Sequence, residues 1–115
     1  MYSFLFKENK EIFSILKGYK TATARDPNNH NKNIKIGDDV AINIGLISIA
    51  TATITDIKAV DDIHSQPLTT FKQLGYPTKK SYFKEYPTKN SQLIFFFKIK
   101  NYDLNNYIEL TKKGD

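Results

Sequence analysis

A chain of 115 residues, 40% of them hydrophobic, has material for one domain with a single core. Its formal net charge is +5 and it holds two histidines and no cysteine, which excludes a disulfide framework and a thiolate metal site. No segment approaches the roughly 20 apolar residues that cross a bilayer, and MYSFLFKENK meets charge too early for a secretory signal. The expectation is a cytoplasmic protein with no cofactor, no metal and no membrane partner.

Residues 2–6 read as a short strand. Over 8–17, Ile12, Phe13, Ile15 and Leu16 recur three and four apart and predict a short helix with one apolar face. Gly18 follows where a helix stop needs a positive φ. Residues 19–25 alternate and predict a strand, and DPNNHNKN at 26–33 is a loop by its turn-forming composition. A turn at Gly37-Asp38 feeds a strand with Val40, Ile42 and Ile44 on one face. LISIATATITDI at 46–57 alternates for longer than any other segment and predicts the longest strand. Residues 67–74 and 78–86 read as short helices, the second capped by Thr78, with Gly75-Tyr76-Pro77 as the break between them. SQLIFFFKIK at 91–100 predicts a strand covered on both faces at its centre. Residues 101–115 read as a partly ordered tail. Strands outnumber helices, which predicts one α+β domain over 1–115, built on a small mixed or antiparallel β-barrel with flanking short helices.

The basic balance has two readings, a solvated surface or attraction to phosphates through counterion release. Lys79, Lys80 and Lys84, interleaved with Tyr82 and Phe83, either form such a binding rim or an amphipathic helix with its rings in the core. The stretch GYKTATARD at 18–26 is sharper, because it holds the only arginine in the chain. Alternating threonine alone predicts a strand and nothing more, and TATI at 51–54 shows the same pattern. Alternation puts Thr21, Thr23 and Arg25 on one outer face and Ala22 and Ala24 on the inner one. Arginine adds a planar fork of donors that suits a phosphate, a carboxylate or a base edge, as lysine does not. Lys20 is out of phase with Thr23 in an ideal strand and joins it only if the chain bends on leaving Gly18.

Gly18, Lys20, Thr23 and Arg25, with KIGD at 35–38, resemble the signature of the ASCH domain, a branch of the PUA-like fold. Threonine at 23, where that family usually has glutamate, is similar to the small bacterial N4-acetylcytidine amidohydrolases, as are Asn29-His30 and Tyr86-Pro87. The likeness runs loosely from about residue 10 to 100 and is sharp only at 18–26 and 35–38. It implies a pseudo-barrel of about six strands with a cleft for RNA or a modified nucleoside. Within that cleft it implies Lys20 and Thr23 as catalytic residues, while the outer strand face read above offers Thr21 and Arg25 for binding the substrate. A threonine hydroxyl needs a base to take its proton, so Lys20 must be neutral, its pKa pushed down by desolvation and by Arg25. The glutamate of those enzymes has no counterpart: Gln73 or Leu74 stands in its place. Asp61, Asp62 and Glu85 are then either carboxylates folded into the cleft or ordinary surface charges. Two functions follow: a module that binds RNA or a cytidine-type nucleoside, or an amidohydrolase acting on N4-acetylcytidine.

Overall fold

The computed structural model describes residues 2–87 and 91–113. In chain order they form β1 (Tyr2–Phe6), α1 (Asn9–Leu16), β2 (Ala22–Arg25), α2 (Asn29–Lys32), β3 (Asp39–Ile44) and β4 (Ile47–Val60). A 3-10 turn (Ile63–Ser65), α3 (Leu68–Gln73), α4 (Lys79–Glu85), β5 (Gln92–Tyr102) and α5 (Leu104–Lys113) complete the series. The strands make one sheet in the order β1-β3-β4-β5-β2. β1 lies parallel to β3 and the other pairs are antiparallel, so the sheet is mixed. It curls into a half-barrel of α+β class with short helices about it, with five strands among the described residues where the resemblance implied about six.

The curl follows from β4 and β5, which pair along most of their length with register shifts at Thr51/Ala52 and Ile54/Asp56. Extra residues of this kind sharpen the local twist and bend a sheet. As a result Phe4 of β1 and Phe95 of β5, which are not neighbours in the strand order, bring their ring centroids within 5.2 Å. Around them Phe6, Val40, Ile42, Ile54 and Phe97 fill the inside of the curl, with Ile12 and Ile15 of α1 buried among them. A second cluster packs Ala22 and Ile94 against Ile63, Phe71, Leu74 and Tyr82. Adjacent residues Ile94 and Phe95 serve different clusters and are both fully buried. The centre of β5 is therefore covered on both faces, as its apolar run predicts.

Consecutive strands β1 and β2 are the two edges of the sheet, and α1 joins them across its open side. The two edges do not pair with each other, so the sheet stays open between them. Two local expectations change. Asn28 caps a single helical turn at 29–32, accepting the Asn31 amide at 2.8 Å, so the expected loop contains α2; the same short polar side chain that makes turns also caps helices. Beyond residue 100, β5 continues to Tyr102 and α5 follows. Asn106 Nδ2 donates to the Ser48 carbonyl at 2.7 Å and the Asp103 amide to the Ile49 carbonyl at 2.8 Å, tying the start of α5 to β4. Thr78 caps α4 as expected, with Ser81 returning the second bond of a capping box. Among the described residues no helix is long and apolar enough to cross a membrane.

Candidate functional site

Between the edges β1 and β2 lies an open cleft of about 810 Å³. Leu5 and Phe6 form one side, Thr23 and Arg25 the other, and Glu11 and Ser14 of α1 contribute from the connecting helix. The segment from Leu74 to Tyr86 adds Gly75, Tyr76, Tyr82, Glu85 and Tyr86.

Lys20 reaches this cleft through the end of α1. Gly18, at φ 81, donates its amide to the Ile15 carbonyl at 3.0 Å, and the Tyr19 amide reaches back to the Ser14 carbonyl at 2.9 Å. This pair of bonds is a Schellman turn, which only a residue tolerant of positive φ completes without strain. The Lys20 amide also bonds to Ser14, at 3.1 Å, so the chain is still turning there and β2 starts only at Ala22. That bend removes the phase conflict with Thr23. Lys20 is 7% exposed, its Nζ donates to the Leu74 carbonyl at 2.6 Å, and its stem runs along Gly75. Burial pushes its pKa down to about 8; Glu11 works against that fall, Arg25 adds to it, and Glu85 opposes it.

Thr23 and Arg25 meet directly: Arg25 Nε donates to Thr23 Oγ1 at 3.1 Å. The guanidinium carbon lies 4.8 Å from the Phe6 ring centroid and 5.3 Å from that of Phe4. Arg25 of one sheet edge thus packs on two rings of the other, a cation–π arrangement that links the edges at the inner end of the cleft without backbone pairing. Burial lowers the Arg25 pKa and Glu11 offsets part of the effect. Because Thr23 accepts from Arg25, its own hydroxyl proton is left to donate elsewhere.

The face carrying these two residues was expected to be the outer one. Thr23 is 4% exposed and faces the inside of the curl, while Ala22 packs into the second cluster. Both faces of β2 are covered, since its small alanines let α3 and α4 approach. Thr21 is not among the residues that line the cleft; its backbone instead bonds to Gln73 of α3 and Phe97 of β5. So Lys20, Thr23 and Arg25 come together and Thr21 does not join them.

The acids come from positions that lie far apart in sequence. Glu85 lines the cleft, accepting the Tyr76 hydroxyl at 2.5 Å with Lys10 Nζ 3.8 Å away. Asp62 caps the 3-10 turn through the His64 amide, and neither it nor Asp61 lines the cleft. At the place where the resemblance implied a glutamate, Leu74 supplies its main-chain carbonyl to Lys20. Glu11 went unremarked in the sequence, although it sits one turn before Ile15, at the margin of the buried face of α1. Among the described residues the cations of the cleft, Lys7, Lys10, Lys20 and Arg25, face an equal set of carboxylates, Glu8, Glu11, Asp26 and Glu85. The site is charge-balanced.

Tyr76, Tyr82 and Tyr86 form an aromatic wall, with centroids 5.0 Å apart for Tyr76–Tyr82 and for Tyr82–Tyr86. Burial pushes Tyr82 up to about 12, and burial with the Glu85 hydrogen bond raises Tyr76 further, so both stay neutral donors. Of the expected basic helix, Tyr82 is 5% exposed and Phe83 stacks on His64 at 4.2 Å. Those rings serve the core. No group of three histidine, cysteine or carboxylate side chains suited to a metal occurs among the described residues.

Neither a protein-family model nor a curated protein matches the sequence. Solved structures do. An ASCH domain from Lactobacillus crispatus superposes with a TM-score of 0.69 at 12% identity, over 87% of this chain and 80% of that one. A protein from Enterococcus faecalis gives 0.68 at 12%, over 89% and 82%. ASCH from Zymomonas mobilis gives 0.59 at 14%, over 93% and 76%. The chain has the PUA-like α+β fold of these ASCH structures.

Proposed function

We propose that this ASCH-fold chain binds a cytidine-type nucleoside, free or as one unit of an RNA, in the cleft between β1 and β2. The observation that carries the reading is the Arg25–Thr23 hydrogen bond in the wall of that cleft, with Lys20 lining the same space. A volume of about 810 Å³ lies within the range of small-molecule sites. A cytosine edge offers acceptors at O2 and N3 and a donor at N4. Guanidinium donors satisfy the first two, and the Glu85 or Glu11 carboxylate suits the third. Tyr76 and Tyr86, the less buried rings of the aromatic wall, supply π faces for the base. Calorimetry with cytidine and N4-acetylcytidine tests this: Arg25→Lys should weaken binding by at least about tenfold through the lost planar fork. Failure of the wild type to bind either nucleoside would sink the reading.

A second reading, hydrolysis of an N4-acyl group, is favoured by the Lys20 pKa. At about 8 it leaves a minority of neutral amine at pH 7, the state a general base requires. Neutral Lys20 would take the Thr23 proton as Oγ1 attacks the acyl carbonyl. The C–N bond then breaks, the proton returns to the departing N4 amine, and water releases the acid from the ester. Acetate release from N4-acetylcytidine should rise with pH through about 8 and vanish in Lys20→Ala and Thr23→Ala. Release that survives both substitutions would clear this pair of any role.

A further inference from the structure

A second groove, of about 430 Å³, adjoins the cleft and is lined by Tyr19, Lys72, Gly75, Tyr76 and Pro77. Gly75 and Tyr76 line both spaces, so only that short stretch of chain separates them. Their electrostatics differ. Among the described residues, carboxylates match the cations in the cleft, whereas the groove has Lys72 and no acid. Further lysines adjoin it in sequence: Lys17 two residues before Tyr19, and Lys79 and Lys80 just beyond Pro77.

Tyr19 is the unusual member. The residue is 72% exposed, yet its backbone is fixed, because its amide ends the Schellman turn on Ser14 and the next two amides bond to Ser14 and Gln73. No aromatic neighbour covers the ring among the described residues. A flat ring held out on a rigid turn, beside a cation, has the features of a base-stacking platform with a phosphate contact. A charge-balanced cleft accepts a neutral base and ribose but offers a phosphate no net attraction. An anionic backbone leaving the cleft would find favourable charge past Gly75–Tyr76.

We infer that the Tyr19–Lys72 groove holds the nucleotide next to the one in the cleft, with its base on Tyr19 and its phosphate at Lys72. The natural ligand is then single-stranded RNA rather than a free nucleoside. This rests on the nucleoside reading of the cleft, and the experiment separates the two. Fluorescence anisotropy measures binding of a labelled six-cytidine RNA, and calorimetry measures cytidine, for wild type, Tyr19→Ala and Lys72→Ala. Both residues are exposed, and circular dichroism checks the fold.

The RNA should bind more tightly than cytidine. Tyr19→Ala should weaken RNA binding by about tenfold, and Lys72→Ala should make the log–log salt slope shallower by about 0.7. Cytidine affinity should be unchanged in both variants. RNA binding that is no tighter than cytidine binding, or that neither substitution affects, overturns the groove proposal while leaving the cleft. Equal losses for RNA and cytidine also overturn it, since they reveal a structural effect. RNA binding that depends on Tyr19 and Lys72 in a protein that does not bind cytidine removes the cleft reading, and the adjacent-nucleotide proposal falls with it, leaving an RNA contact at the groove alone.

Discussion

Replacing Lys20 with methionine separates the cost of burying an amine from ordinary packing. Lys20 is 7% exposed and its pKa falls from 10.5 to about 8, a gap on the order of 3 kcal/mol. Between those pH values the unfolded chain holds a proton that the folded chain has released, so stability rises with pH across the window. Below about 8 both states are protonated and the folded protein bears the whole penalty. Methionine keeps most of the stem and removes that penalty, but leaves the Leu74 carbonyl without its 2.6 Å donor, a loss of about 1–3 kcal/mol. Near pH 7 the variant should match or exceed the wild type by up to about 2 kcal/mol. Near pH 10.5 the wild type should be the more stable by about 1–3 kcal/mol. Urea unfolding at several pH values from 7 to 10.5 reads this directly, because other titrations are common to both proteins and cancel in the difference. A gap between the two that stays constant across the window would refute the assignment of a suppressed Lys20.

Phe95→Ala, at a fully buried position packed on Phe4, should cost about 3–5 kcal/mol in urea unfolding; a loss below 1 kcal/mol would contradict the packing across the curl. Gly75 has φ 97 with Lys20 carbons 3.5 Å from where a Cβ would sit. Gly75→Ala should therefore lose about 1–2 kcal/mol through backbone strain alone, and unchanged stability would dispute that conformation. The Asp39 carboxyl is held below its ordinary value by hydrogen bonds from Lys100 and Thr53. In Lys100→Met its NMR titration should move upward, and an unmoved midpoint would show that the Lys100 contact does not form in solution.

Much of the fold was readable from local pattern. The alternation at 46–57 marks β4, which extends three residues further to Val60, and Thr78 marks the start of α4. Gly18 signalled the helix stop, yet its consequence for Lys20 depends on two bonds to Ser14 that strand periodicity does not represent. The faces of β2 were exchanged for a similar reason. Alternation sorts Thr23 from Ala22, but which side lies inside is decided by the curl of β4 and β5 and by α3 and α4 packing on the alanines. Thr21 shares strand parity with Thr23, but it precedes the strand and pairs with Gln73 and Phe97. The acids of the cleft were the least legible part, because Glu11 and Glu85 reach it from helices 74 positions apart through contacts across the sheet opening. Glu11 left one trace, its place at the edge of the apolar stripe of α1.

Lys20, Thr23 and Arg25 line one space, and the proposed function requires that space to admit a pyrimidine. Backbone amide NMR with added N4-acetylcytidine tests it most directly. The account predicts shifts concentrated at Lys20, Thr23, Arg25 and Tyr76, with Thr51 and Thr53 on the β3–β4 hairpin unmoved. Shifts absent at the first set, or centred on that hairpin, would contradict it.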